Sequence, residues 1–510
     1  MQESAPHCRY EPEVEKLVPG LNEAYCKLRS PDGVGLYTSA GRLYNHTFFG
    51  RDAGMSAKFL NDYEPEIVKE TIRALVRYQG CVTNPTTEEQ PGRIHHELRD
   101  FSRWNSRAYD RILYRIVGPL WGVKNNQLLT YFAHDTTATF IRLVHKYWFR
   151  TSDKILDEIV ITKDGSEKPL RDCLLAAADW IVSCVDANGH FAPARTNRFS
   201  LPYQIFEDSI SAYNWPDKKR TITNKKHTYV EAQSYAIDAL QDMRHMFPKE
   251  IRSEAWGYTV EQLKNALFND FWQKDDQYFA NMLASREGKT QALTTPNISS
   301  GWTLNTLFWR DLSEPERQKY LKPIISRLFS DEFLTPVGLR TKSVYTEKPI
   351  RGVVSYHGSE TVWPMFTFMV IEGLRKHGFM RLALQLEYRI VNACRAIDGF
   401  QEFFIVDKNN TVYEIGKVGK KLSLQMTPEK SIAFTIAPLI TIAHRIDAEV
   451  SLPDEEWRRN LEDELLGKIE IIALESPEEA RLRLQPQKAQ AKRTLAGLKS
   501  AWYFATQKAE

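Results

Sequence analysis

Arg51 and Asp52 are the adjacent pair in this sequence with the clearest capacity for chemistry. They lie in the run Phe48-Phe49-Gly50-Arg51-Asp52-Ala53-Gly54, directly before an apolar helical stretch from Met55 to Leu60. A guanidinium fork beside a carboxylate matches neighbouring hydroxyls of a sugar with donors and an acceptor. The glycine lets the backbone approach another surface closely. The same pair also fits a plain helix start, with Asp52 favourable to the dipole and Arg51 as its ion partner. Further polar clusters follow at intervals. They are His95-His96-Glu97-Leu98-Arg99-Asp100 with Trp104; His134-Asp135-Thr136; Gln204 to Ser209; Val230-Glu231-Ala232-Gln233; Gly338-Leu339-Arg340-Thr341; Tyr356-His357-Gly358-Ser359 with Val362-Trp363-Pro364; and Gly399 to Phe404 around Glu402. Each mixes carboxylate, amide, hydroxyl and aromatic groups, the mixture a polyhydroxylated ligand needs.

Every cluster has a plainer reading beside this one. Asp208 before Ser209 fits a turn or cap. Glu402 between phenylalanines fits a half-buried acid paired to an arginine. His357-Gly358 fits a turn. His95-His96 has no further histidine or cysteine at ligand spacing, so no metal is expected. Glu231 and Gln233 stand two apart on a helix and cannot share a face, so one is expected toward the cleft and the other sideways.

The elements that must position these groups are helical. Apolar periodicity marks about twelve helices, the first over 52–62 and the last over 454–468. Short connections join the members of successive pairs, as at Asp62-Tyr63 and His377-Gly378, which makes each pair antiparallel. Long loops over 80–132, 187–227, 273–298, 330–359 and 398–428 separate the pairs and therefore share one rim. Six hairpins with all long loops on one rim predict an all-α, (α/α)6 barrel over residues 1–475. An open solenoid lacks the repeating motif it would require. The stretch 476–510, with seven basic residues among Ala, Leu and Gln, reads as a basic helical tail.

Composition narrows the classes. A chain of 510 residues with net charge +3 is long enough for a large core and too balanced for a dedicated nucleic-acid binder. Six scattered cysteines without a C-x-x-C pair read as reduced thiols, hence a cytoplasmic protein. No stretch reaches the length and apolarity of a membrane span, and no organic cofactor is expected. Oligomeric state is not readable.

Taken in order, the clusters resemble the glucosidase domain of glycogen-debranching enzymes, the amylo-α-1,6-glucosidase family within the clan of (α/α)6 inverting glycosidases. The matching pieces are F-G-R-D at 49–52, P-G-R-I-H-H-E-L-R at 91–99, Y-F-x-H-D-T-T at 131–137, F-E-D-S at 206–209, V-E-A-Q at 230–233, G-L-R-T at 338–341, Y-H-G-S with V-W-P across 356–364, and Q-E-F-F at 401–404. The resemblance implies that Asp208 protonates a glycosidic oxygen and Glu402 activates water, with Glu207 the competitor for the acid role. It implies a glucan or oligosaccharide substrate whose terminal sugar is held by Phe49, Arg51, Asp52, Glu97, Trp104, Asp135, Glu231, Arg340, His357 and Trp363. Ala53 for a common Ser, the Glu360-Thr361 insertion and Gln401 for a usual Pro depart from the family pattern.

Overall fold

A computed structural model describes residues 12–41, 44–102, 115–116, 118–209, 211–217, 221, 226–346, 352–397 and 399–493. The helices are α1 Pro12–Leu17, α2 Leu21–Leu28, α3 Gly50–Leu60, α4 Pro65–Arg77, α5 Thr136–Thr151, α6 Leu170–Ser183, α7 Val230–Met246, α8 Ser253–Ala266, α9 Ser299–Thr303, α10 Glu314–Leu328, α11 Pro364–Lys376, α12 Met380–Ile397, α13 Ala433–Ala443, α14 Glu456–Leu466 and α15 Pro477–Leu484. Each of the twelve expected helices has a counterpart from α3 to α14. The seventh, α9, is much shorter than its apolar pattern, because the chain turns after Thr303 and resumes as a 3-10 turn at Phe308–Asp311.

Odd-numbered helices from α3 to α13 form an inner ring. Each packs on the next, and α13 returns to α3, closing a six-hairpin toroid. Residue pattern explains which helix lies inside. In α13, Ala433–Ala443 is apolar on all sides and every residue from Ala433 to Ile442 is buried, as a helix surrounded by others requires. In α4 the buried set is a stripe, with Ile67, Val68, Ile72, Leu75 and Val76 facing the ring and charged residues outside. Caps fix the starts: Ser313 and Glu316 form a capping box at α10, and Pro364 occupies the first turn of α11.

The barrel is not strictly all-α. Strands are built into the long loops, and two sheets position the rim. One has three antiparallel strands, Thr47–Phe49, Glu97–Asp100 and Gln127–Thr130. The other has six, including Thr361–Val362, Phe404–Val406 and Val412–Gly416.

The expected helical tail divides into α15 and a strand. Gln487–Arg493 inserts between Val412–Gly416 and Lys420–Leu424, parallel to both. Its Lys-Ala-Gln-Ala-Lys alternation has the period of a strand, and Ala489 is fully buried. The reduced-thiol expectation also needs correction. Cys81, Cys173, Cys184 and Cys394 are free, but Cys26 is disulfide-bonded, which removes a support for a cytoplasmic location. Among the described residues no helix is long and apolar enough to cross a membrane.

Candidate active site

Strand register brings the first clusters together. Phe49 lies opposite Glu97, and Glu97 lies opposite Thr130, so three segments far apart in sequence meet on one small sheet. That sheet delivers Phe49-Gly50-Arg51-Asp52 to the start of α3 and His134-Asp135 to the start of α5. Gly50 is required by the close approach: its N–H donates to His96 O at 2.8 Å, and a Cβ would stand 2.3 Å from His95 O. The second sheet pairs Val362 with Phe404, which sets Trp363 beside Glu402 and stacks it on Phe403 at 5.3 Å between centroids.

These elements surround a cavity of about 260 Å³ at the N-terminal ends of the inner helices. Phe49, Arg51, Asp52, Glu97, Asp208, His357, Trp363 and Glu402 all line it. Trp104 lies outside the described residues. The walls are rings: Phe206 meets Trp302, Trp363, Phe366 and Phe434 edge-on, and His357 stacks on Trp363 at 4.8 Å.

Asp208 and Glu402 face this cavity under different constraints. Glu402 is 2% exposed; it accepts a hydrogen bond from the Tyr356 hydroxyl on one oxygen and from the Glu429 N–H, at 3.1 Å, on the other. Both contacts favour the carboxylate, yet burial outweighs them and pushes the carboxyl up to about 8. The half-buried Asp208 carboxyl accepts no hydrogen bond from another described residue. Burial pushes it up to about 7, against the opposing pull of the Arg51 guanidinium. Glu207 faces elsewhere: it accepts from Asn297 Nδ2 at 3.2 and 3.3 Å and does not line the cavity. Burial raises it too, opposed by the charge of Lys342.

Arg51 sits 4.5 Å over the Phe206 ring, with its Nε on Asp52 Oδ1 at 3.2 Å. One terminal nitrogen is 4.0 Å from Asp135 Oδ2 and has no hydrogen-bond partner among the described residues, which leaves a buried donor for a ligand. Glu97 is paired with Arg99 Nε at 2.7 Å. His357 Nδ1 accepts from the Ser209 N–H at 3.4 Å, and burial and nearby cations hold the imidazole neutral, so Nε2–H is its free donor.

Three predicted residues do not line the cavity. Asp135 is fully buried behind Arg51, its carboxyl pushed up to about 6 by loss of solvent. Glu231 accepts from the Ser299 hydroxyl inside the wall between α7 and α9. Gln233 packs sideways, donating to Gly189 O and Leu263 O, so neither member of the pair reaches the cleft as one of them was expected to. Arg340 is corrected from sugar contact to scaffold. It donates to Ser359 O, Val406 O, Asp407 O and Asn410 Oδ1 at 2.7–3.0 Å, tying the Tyr356–Trp363 loop to the second sheet. Sequence reasoning missed Tyr44, His96, Arg99, Trp121, Tyr356 and Phe434 as lining residues. His96, Arg99 and Tyr356 stand inside the polar blocks, so an i, i+2 reading of the strand at 97–100 could have found Arg99 beside Glu97.

The chain shares its fold with solved proteins of low sequence identity. It is similar to an uncharacterized conserved protein from Thermus thermophilus, with a TM-score of 0.54 and 12% identity, over 84% of this chain and 99% of that one. It is similar to the GH63 mannosylglycerate hydrolase of the same organism. The glucose complex gives a TM-score of 0.51 at 12% identity, over 85% of this chain and all of that one. The Tris complex gives 0.52 at the same identity and coverage. No family model and no curated protein matches the sequence, so the amylo-α-1,6-glucosidase resemblance rests on motif order.

Proposed function

We propose that the chain is an inverting, exo-acting α-glucosidase, with an α-1,6 branch stub as the first candidate substrate. The observation that carries this is the placement of Asp208 and Glu402 on one small aromatic cavity beside Arg51-Asp52, with Glu207 turned away. In the reaction the Asp208 proton passes to the glycosidic oxygen as the bond to the anomeric carbon breaks. Glu402 takes a proton from a water that attacks the opposite face, so the new hydroxyl has inverted configuration. The two donors on Glu402 hold its oxygens in place for that water. Burial holds the Asp208 carboxyl up to about 7, with no hydrogen bond from another described residue to favour its charged form, so it can carry the proton below that pH. Arg51, Asp52, Glu97 and His357 supply the hydroxyl partners, and Trp363 a stacking face.

A second reading keeps the chemistry and changes the substrate to a small α-glycoside. The cavity's volume of about 260 Å³ supports it, as does the likeness to a mannosylglycerate hydrolase. Screening α-linked glucosides with α-1,6, α-1,4 and small aglycones separates the readings. Asp208→Asn and Glu402→Gln should each lower turnover by about 10²- to 10⁴-fold with folding intact. Near-wild-type turnover in either variant removes that residue from the pair.

A further inference from the structure

A second cavity, of about 340 Å³, lies at the other end of the barrel. Helix α11 runs between the two: Trp363 precedes it at the candidate active site, and His377 follows it in the second cavity. Its thirteen residues separate them by roughly 20 Å. The lining of this cavity is strongly cationic. Arg310, Arg317, Arg375, Lys376 and Arg458 face it, against only Asp454 and Glu455.

Structural duty accounts for part of this charge. Arg375 is bound to Glu387, Arg317 and Arg458 share Glu314, Arg458 also pairs with Glu455, and Lys376 Nζ donates to Asn305 O at 2.8 Å. Two features are left over. Arg310 has no ion-pair partner among the described residues, and Lys376 makes no direct one, its charge being met only at longer range by Asp238 and Glu372. Arg458 is more than nine-tenths buried, and its Nε has no hydrogen-bond partner among those residues, as is true of Arg317 Nε. Buried guanidinium donors around a cationic void match a compact anion with several acceptor oxygens.

We propose that this cavity is a phosphate site, taking either inorganic phosphate or a phosphorylated sugar. The inference does not depend on the glycosidase reading, since it uses none of the same residues. Isothermal titration of the whole chain at low ionic strength with sodium phosphate, and separately with glucose 6-phosphate, tests it. Sodium chloride at matched ionic strength is the control. Saturable binding at one site is expected, weakened at least about tenfold in an Arg310→Gln/Lys376→Gln double variant. Tighter binding of the sugar phosphate would identify an ester as the ligand, and equal affinity would identify free phosphate. Absence of saturable binding by both, or an unchanged affinity in a double variant that melts like the parent, overturns the proposal.

Discussion

Removing the Tyr356 hydroxyl is the most discriminating perturbation of the candidate site. Its O–H donates to Glu402, which is otherwise held only by the Glu429 N–H among the described residues. A hydrogen bond to a charged group contributes about 1.5–3 kcal/mol, or about 1–2 pKa units. Tyr356→Phe therefore raises the Glu402 carboxyl from about 8 to roughly 9–10. In the proposed reaction the productive form needs Asp208 protonated and Glu402 ionised. With carboxyls at about 7 and about 8, that form is the minor member of the singly protonated pair, and the pH profile is a bell with limbs near those values. Raising Glu402 then lowers kcat/KM by about 10- to 100-fold below pH 7. The loss shrinks as pH passes the new pKa, so the alkaline limb moves upward by about 1–2 units. The assay is kcat/KM from pH 5 to 10 on the best α-glucoside of the panel. A loss of equal size at every pH, with both limbs unmoved, would refute the role of this hydroxyl in holding the Glu402 charge.

Other outcomes follow from the same geometry. Glu402→Gln removes a carboxyl whose folded pKa is raised above its unfolded value. Its ionisation burdens the folded state increasingly from about pH 4.5 to about pH 8. The variant should therefore match the parent in denaturation at pH 4.5 and exceed it above pH 8, by at most about 5 kcal/mol. Gly50→Ala puts a methyl 2.3 Å from His95 O and should cost about 1–3 kcal/mol, read as a lower melting temperature. Arg340→Met loses four hydrogen bonds and should cost about 2–4 kcal/mol. Its kcat/KM should fall together with its melting temperature, because the Tyr356–Trp363 loop is displaced and no sugar contact is removed.

The helical frame was legible because helices with one apolar stripe and short pairwise connections leave little choice but to close around a shared core. The limits of legibility lie in the loops. Gln487–Arg493 carries residues that favour helices, and its short alternation becomes a strand only between its two partners. Arg340 and Arg51 are alike as sequence. One finds four acceptors within its own scaffold and the other keeps a free donor, a difference set by which carbonyls the chain brings near. Asp208 and Glu207 differ likewise by the direction of one loop, since only Glu207 meets Asn297. Tyr356 was visible beside His357, but its hold on Glu402 depends on the fold of the second sheet.

If Asp208 and Glu402 act as a pair, they stand on either side of one glycosidic bond. The crystal structure of the Asp208→Asn variant soaked with an α-glucoside tests it. Expected are the terminal ring in the cavity between Arg51 and Trp363, the glycosidic oxygen against residue 208, and a water held by Glu402 on the far face of the anomeric carbon. A sugar bound with Glu402 turned from that carbon, or a ring seated away from this cavity, would contradict it.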